Sequence, residues 1–126
     1  MRKYILFFGF LLCMPLLNNA QSMDHIGSWK MTMETNDGPL SLVLTFSDNG
    51  AHQVDFGVDG QVDINGKYDF KEGVVTLKEE QGVNACVDAT GKYELKVEGD
   101  TLTMTLIEDD CIDRRPPNGA YVFSRV

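Results

Sequence analysis

Hydrophobic and polar residues alternate along most of the chain after residue 28. A period of two residues is typical of β-strands that bury one face, and the three-to-four-residue period of a buried helix face is almost absent. We therefore expect an all-β domain. The residues that share the apolar faces, and that we place in its interior, are Trp29, Met31, Met33, Leu42, Leu44, Phe46, Phe56, Tyr68, Phe70, Tyr93, Leu95, Leu102, Met104, Leu106, Tyr121 and Phe123.

A three-residue loop at residues 48–50 predicts the pairing of the strands on either side of it. With Gly50 in the left-handed conformation that such loops use, Phe46 lies opposite His52. The apolar faces of the two strands then agree across the loop, which supports this register.

Two-residue turns at Glu72-Gly73 and Gly99-Asp100 predict two further hairpins, and the glycine-first turn suits type II′. Asn65-Gly66 is a competing hairpin turn, unless Gly66 is a bulge within a strand. We place Val62 on the same apolar face as the strand that follows it. The expected pairs are Tyr68 with Leu77, Phe70 with Val75, Tyr93 with Leu106, Leu95 with Met104, and Val97 with Leu102.

A last strand around Tyr121 and Phe123 brings the count to eight strands in meander order, with no long helix. Eight antiparallel strands can close into an up-and-down barrel, which removes the exposed edges of an open sheet. The predicted fold class is therefore an eight-stranded antiparallel up-and-down β-barrel.

The first twenty residues predict a secretory signal peptide. Two cations precede an apolar run at residues 5–17, and Ala20 offers a small residue for cleavage. The run is shorter than the roughly 20 residues of a membrane-spanning helix. We divide the chain into a signal peptide, 1–20, and one domain, 21–126, and expect a secreted or periplasmic protein. Lipid attachment through Cys13 is the alternative.

The negative charge of the chain excludes some classes of binding partner, and its length indicates one domain. The 126 residues are 43% hydrophobic with a formal net charge of −8, and removing the two cations of the signal peptide leaves 106 residues at −10. This length suits a single core. Nucleic acid and anionic membrane surfaces are not expected partners, because both need clustered positive charge. We expect a monomer.

Cys86 and Cys111 form an even pair in a chain that carries an export signal, and they predict a disulfide. The bond would close the open end of the hairpin around residues 99–100. Alignment of the two cysteines requires a bulge, which we place at Gly91. A zinc site would need more ligands than the two remote histidines supply, and we expect no metal and no cofactor.

Gly27-Ser28-Trp29 in the first strand and Arg125 in the last carry a resemblance to lipocalins and the wider calycin superfamily. Over residues 26–126 the chain resembles small bacterial lipocalin-like secreted domains. The resemblance implies that Arg125 packs across Trp29 and closes one end of the barrel, which makes Gly27, Trp29 and Arg125 a structural signature. The chain is shorter than typical lipocalins, which argues against a large cavity.

The charged and titratable residues do not predict catalysis, and we expect no enzyme. Asp55, Asp59 and Asp63 are interpreted as turn formers. His25 is expected in a mobile N-terminal segment, and His52 is expected to be partly buried with its hydrogen bonds satisfied. A charged cluster after the seventh strand is interpreted as a loop that is solvated or paired within itself, and it comprises Glu108, Asp109, Asp110, Asp113, Arg114 and Arg115.

Whether the barrel is hollow decides between two functions. A contiguous apolar cavity of roughly 300 Å³ or more would favour a small hydrophobic ligand, whereas a filled barrel with an ordered, protruding N-terminus would favour a protein partner. An extracellular protease inhibitor that uses residues 21–26 is an example of the second. The candidate ligand contacts are Met33, Leu44, Phe56, Tyr68, Tyr93 and Met104.

Overall fold

The computed structural model describes residues 23–82 and 85–126, so the expected signal peptide and Cys13 lie outside the described residues. The strands are β1 (Gly27–Thr35), β2 (Gly38–Phe46), β3 (Ala51–Phe56), β4 (Ile64–Lys71), β5 (Val74–Gly82), β6 (Thr90–Glu98), β7 (Thr101–Asp109) and β8 (Ala120–Arg125), with a short 3₁₀ turn at Ile112–Arg114. Each strand pairs antiparallel with the next, and β8 pairs with β1, which closes the sheet into a barrel. No helix in these residues is long and apolar enough to cross a membrane. The expected all-β, eight-stranded up-and-down barrel is confirmed.

The turns set the register as their sequences predict. Phe46 lies opposite His52 with Gly50 at a φ of +84°, and the hairpins at 72–73 and 99–100 have the expected pairs. Glu72 and Gly73 both have positive φ, as a type I′ turn requires.

The structure decides two predictions about residues 62–66, at and before the start of β4. Asn65-Gly66 is not a hairpin turn, because both residues lie inside β4 where its register against β5 shifts. Val62 does not share the apolar face of β4, since it precedes the strand and is 45% exposed. The loop of residues 57–63 therefore carries an exposed valine.

The bulge that aligns the cysteines is real, but its predicted position at Gly91 is wrong. Gly91 pairs regularly with Asp109, while the shift falls further along, where Ile107 is the extra residue on β7. Ile107 is exposed, and the extra residue turns the following alternation inward, so that Asp109 and Cys111 are buried. The predicted Cys86–Cys111 disulfide is present, with the Cα atoms 6.0 Å apart.

One end of the barrel, which we call the turn end, holds the short turns after β2, β4 and β6 together with residues 23–26. Trp29 is fully buried there, and the guanidinium carbon of Arg125 lies 4.1 Å from the centroid of its ring. The contact implied by the resemblance is therefore present. Arg125 Nη2 also donates to the carbonyl of Asp24, 3.0 Å away, which ties the N-terminal segment to β8.

His25 is not in a mobile segment, as the sequence had suggested, but is buried with 2% exposure. Its carbonyl accepts a hydrogen bond of 2.8 Å from Trp29 Nε1, and its Nε2 lies 3.1 Å from the hydroxyl of Tyr68. The ring packs against Phe46 and Phe70. These contacts make His25 part of the packing that closes the turn end.

His52 is buried and satisfied, as expected, because its Nδ1 donates to the carbonyl of Lys67 at 3.1 Å. Burial lowers the pKa of its imidazole from 6.5, and this effect outweighs the hydrogen bond with Lys67 and the charge of Glu79, which raise it.

Lowering the pH from 7.5 to 5.5 is therefore expected to reduce the free energy of unfolding. The unfolded chain binds a proton at this histidine near pH 6.5, whereas the folded chain resists it, so stability present above that pH is lost as the pH falls. Each unit of pKa difference contributes about 1.4 kcal/mol. Urea unfolding across this range should show a steeper loss for the wild type than for His52→Asn. Equal slopes for the two proteins would contradict the assignment.

Candidate functional site

A cavity of about 210 Å³ lies inside the barrel towards the end opposite the turn end, which we call the mouth. The mouth carries the loops that follow β1, β3, β5 and β7. Most of the cavity wall is apolar, and its polar residues are grouped together. The lining residues are Met31, Met33, Leu42, Leu44, Val54, Phe56, Ile64, Leu77, Glu79, Cys86, Tyr93, Met104, Cys111, Asp113, Arg114, Tyr121 and Phe123.

The structure places five of the six candidate ligand contacts in this wall, namely Met33, Leu44, Phe56, Tyr93 and Met104. Tyr68 lies elsewhere, because β4 runs away from the mouth and brings this residue close to the turn end. Its hydroxyl donates to the carbonyl of Ser47, and its ring packs edge-on against Phe46 at a centroid distance of 4.9 Å. Burial, with a smaller contribution from Asp48, raises the pKa of this hydroxyl, which keeps it a donor.

The two ends of the barrel therefore differ in how they are filled. At the turn end, aromatic rings from β2, β4 and residues 23–26 occupy the interior. At the mouth, the side chains do not fill the interior, and the space between them is the cavity. The barrel is thus packed at one end and contains a cavity at the other, and the volume of this cavity, about 210 Å³, is below the roughly 300 Å³ that we expected to favour a small hydrophobic ligand.

The polar part of the wall is centred on Arg114, and we call Glu79, Tyr93, Asp109 and Arg114 the Arg114 cluster. Arg114 binds Asp109 with two parallel hydrogen bonds, from Nε at 2.6 Å and from Nη2 at 2.7 Å. Its Nη1 lies 3.1 Å from Glu79 Oε1. Tyr93 donates its hydroxyl hydrogen to Asp109. A bidentate guanidinium–carboxylate pair of this kind fixes both groups in one orientation.

Hydrogen bonds from the surrounding backbone complete the cluster. Asp109 Oδ1 accepts from the amide of Cys111 at 2.9 Å, and a carboxylate oxygen of Glu79 accepts from the amide of Cys86. Tyr121 donates to the carbonyl of Arg114 at 2.6 Å. Both ends of the disulfide are thus joined to the same polar group, and the mouth loops that carry them are held over the cavity.

The charges of the cluster stabilise one another despite burial. Burial acts to raise the pKa of Asp109, but hydrogen bonds from Arg114 and Tyr93 outweigh it and hold the pKa below its usual value. Burial acts to lower the pKa of Arg114, but the hydrogen bonds to Asp109 and its negative charge outweigh this effect, so the pKa of Arg114 is raised. For Tyr93, burial and the neighbouring carboxylate both raise the pKa of the phenol. Asp109 stays ionised and Tyr93 stays protonated at neutral pH.

Close approach of β6 to this cluster explains why position 91 is a glycine. A Cβ atom on Gly91 would lie 2.6 Å from Asp109 Oδ2 and 3.0 Å from Arg114 Nη2. Such an atom would displace the bidentate pair. Gly91 thus serves the polar cluster, where the sequence had suggested a bulge.

The charged stretch after β7, interpreted as a loop that is solvated or paired within itself, shows both behaviours. Asp109 and Arg114 are paired, and Asp109 is 1% exposed, whereas Glu108, Asp110, Asp113 and Arg115 are exposed. Glu79 was missed as a member of the site. Its position was signalled by alternation, because it follows Val75 and Leu77 on the inward face of β5. Asp109 gives no such signal, because only the bulge at Ile107 turns it inward.

Three aspartates, one near the end of β3 and two in the loop that follows it, act as turn formers, as expected. Asp63 accepts a hydrogen bond of 2.7 Å from the amide of Phe56, and Asp55 accepts one of 2.9 Å from the amide of Gly60. Carboxylate oxygens of Asp55, Asp59 and Asp63 lie within 4.8 Å of one another. Their hydrogen bonds to loop amides account for the arrangement.

The seam between β1 and β8 is the least paired in the described part of the barrel. Two residue pairs join these strands, Trp29 with Arg125 and Lys30 with Ser124, whereas nine join β1 to β2. A surface groove of about 350 Å³ lies over this seam. Met31 borders both the groove and the interior cavity.

Comparisons with known proteins identify no similar protein. No protein-family model matches the chain, and no curated protein or solved structure matches it. The closed barrel of eight antiparallel strands is consistent with a calycin-like fold.

Proposed function

We propose that this protein is a secreted, non-enzymatic, lipocalin-like barrel that binds a small and largely apolar molecule in the mouth cavity. The observation that carries the proposal is the cavity itself, whose wall consists mostly of aliphatic, aromatic and methionine side chains, with Glu79, Asp113 and Arg114 as its charged residues. Few convergent polar groups in an apolar pocket are typical of ligand sites. The packing of Arg125 across Trp29 at the opposite end supports the lipocalin-like assignment.

The volume of the cavity limits the size of the ligand. Drug-sized molecules occupy pockets of about 300–1,000 Å³, and the mouth cavity has about 210 Å³. An apolar cavity of about 150 Å³ is enough for benzene. The cavity therefore suits a molecule of one ring with a short substituent, or a short aliphatic chain.

The alternative of a protein-binding inhibitor has less support. Residues 23–26 do not extend from the barrel, because the amide of Ile26 bonds to the carbonyl of Met23 and Arg125 holds Asp24. A protruding N-terminal segment was the feature on which that alternative depended. The described part of the segment serves instead to close the turn end.

The Arg114 cluster also favours binding over catalysis. A general acid or base works best with a pKa near the operating pH. The pKa of Asp109 is lowered and that of Tyr93 is raised, which moves both away from neutrality. Their hydrogen bonds hold the mouth loops together, and we assign them a structural and binding role.

Filling the cavity should abolish binding without unfolding the protein. Val54 lies in the wall, and Val54→Phe would place a ring in the empty space, whereas Val122→Phe adds the same ring to an outward-facing, 59% exposed position on β8. Native mass spectrometry of protein purified gently from its own host should show a bound small molecule on the wild type and on Val122→Phe. Occupancy should fall at least about tenfold in Val54→Phe, because the ligand can no longer enter. A wild-type protein without any bound mass, or equal occupancy in both variants, would contradict the proposal.

A further inference from the structure

We propose that the rim of the mouth is a docking surface for a second protein, whose own surface presents apolar side chains among lysines and arginines. The docking surface consists of three loops around the mouth, residues 57–63, 85–89 and 110–119, which we call the rim loops. Docking at the rim goes beyond the proposed function, because it uses the exposed side of these loops and does not depend on what the cavity holds.

The rim loops are neighbours around the mouth. The first leads into β4 and the second follows β5, and these two strands pair beside Gly82. The carbonyl of Asp63 lies so close to Gly82 that a side chain there would collide with it. The disulfide between Cys86 and Cys111 joins the second rim loop to the third, with the Cα atoms 6.0 Å apart. A partner that contacts one rim loop can therefore reach the next.

Exposed aliphatic side chains are concentrated on the rim loops. Eight large hydrophobic residues are exposed in the described chain, and four of them lie there, namely Val58, Val62, Val87 and Ile112. Ile112 is the most exposed of the four, at 75%. Single exposed aliphatic residues are common on protein surfaces, whereas a group of them on neighbouring loops is typical of an interaction surface. The rim thus offers apolar area to a partner.

The backbone at Val58 supports a functional reason for this exposure. Its φ is +54°, in the left-handed region that a β-branched residue rarely adopts. The carboxylate of Asp55 accepts hydrogen bonds from the amides of Asp59 and Gly60, at 3.2 and 2.9 Å, and holds the loop in this conformation. Strained residues of this kind are concentrated at functional sites. The strain keeps a valine in solvent at a cost to stability, which contact with a partner would offset.

The charge of the rim specifies the chemistry of the partner. Each exposed aliphatic residue directly precedes an aspartate, in the pairs Val58-Asp59, Val62-Asp63, Val87-Asp88 and Ile112-Asp113. Among the described residues, no lysine or arginine forms an ion pair with these four aspartates. Arg114 is paired with Asp109 and Glu79, which leaves Arg115 as the other cation of the rim loops. An apolar and anionic rim complements a partner surface that is apolar and cationic.

The turn end provides a natural comparison, because it is acidic without the aliphatic residues. Asp48, Glu72 and Asp100 lie in its short turns, and Met23 is the exposed large hydrophobic residue described there. A basic partner that binds by charge alone would not distinguish the two ends of the barrel. A partner with both lysines and exposed apolar side chains would bind at the mouth.

Three ten-residue peptides test this partner chemistry. One alternates lysine and leucine, the second lysine and serine, and the third glutamate and leucine. Titrated into isotope-labelled protein at about 0.15 M salt, the lysine–leucine peptide should bind at least about tenfold more tightly than each of the others, because it alone supplies both kinds of contact. The amide signals that shift should belong mainly to the rim loops. Equal affinity for a second peptide, no binding of the lysine–leucine peptide, or shifts centred elsewhere would overturn the inference.

Matched variants test whether the rim itself makes the contacts. Ile112→Ser should weaken binding of the lysine–leucine peptide about tenfold, whereas Val122→Ser, on the outward face of β8, should change it less than about twofold. Asp88→Asn should weaken binding about two- to fivefold, and this loss should disappear in about 1 M salt, where exposed ion pairs are screened. Glu72→Gln removes a charge at the turn end and should leave the affinity unchanged. Equal effects of the two apolar replacements, or of the two charge replacements, would overturn the inference.

Discussion

Replacing Arg114 with methionine is expected to lower the free energy of unfolding by about 3–5 kcal/mol. The Arg114 side chain is 12% exposed, and its guanidinium is the cation that compensates the buried carboxylates of Asp109 and Glu79. Methionine removes that charge and leaves two carboxylates without compensation in the interior. The hydrogen bonds of Arg114 to Asp109 and to the carbonyl of Ala89 are lost as well. Urea unfolding of the wild type and the variant at pH 7 measures the difference.

Two comparisons make this prediction specific. Arg115→Met changes the neighbouring arginine, which is exposed and whose Nε donates to the backbone carbonyl of Asp109. We expect this variant to lower the free energy of unfolding by no more than about 1 kcal/mol. Glu79→Gln should destabilise the wild type, but it should stabilise the Arg114→Met protein, because there it removes an uncompensated charge. A loss of the same size for both arginines would show that the ion pairs contribute little. A change in stability of the same sign for Glu79→Gln in both backgrounds would also show that the ion pairs contribute little.

Trp29→Ala is expected to cost about 3–5 kcal/mol, because it removes the fully buried side chain around which the turn end is packed. Three contacts depend on that indole. It fills the interior beside the aromatic cluster, its Nε1 donates to the carbonyl of His25, and its face is covered by Arg125. Since Trp29 is the single tryptophan of the sequence, unfolding should be followed by circular dichroism.

Two further variants separate the contributions at Trp29. Trp29→Phe keeps an aromatic ring and loses the N–H, and the unpaired carbonyl of His25 should cost about 1–3 kcal/mol. Val122→Ala, on the outward face of β8, should change stability by no more than about 0.5 kcal/mol. If Trp29→Ala cost no more than Val122→Ala, the turn end would not be a packed part of the core.

The register of the barrel could be predicted because two independent signals agree in this sequence. Alternation identifies the inward face of each strand, and the turn type fixes which residues oppose one another. At the loop of residues 48–50 and the turn at 72–73, only one register satisfies both. The apolar lining of the cavity followed from the same alternation, and Met33, Phe56 and Met104 are among its members.

The polar end of the cavity could not be predicted in this way. A bulge inserts one residue and reverses the alternation after it, and nothing in the local composition marks Ile107, which is apolar and yet exposed. Without that reversal, Asp109 would be assigned to the surface. Arg114 lies in the loop between β7 and β8, where no periodicity fixes the direction of a side chain. His25 was misplaced for a related reason, since the hydroxyl that it contacts belongs to a residue 43 positions away.

The sparse seam between β1 and β8 bears on the order in which the barrel assembles. The other strand pairs of the described chain join neighbours along the sequence, and each can form as a local hairpin. Closing the ring instead joins the two ends of the domain, and the hydrogen bond from Arg125 to Asp24 spans 101 positions. Such a contact carries the largest loop-closure entropy in the fold and slows folding accordingly. Trp29 of β1 and Phe123 of β8 belong to one buried core cluster, so closure brings apolar residues of the first and last strands into the same core. The wall of the mouth cavity includes Met31 and Met33 of β1 and Tyr121 and Phe123 of β8, so the cavity is complete only when these two strands have joined.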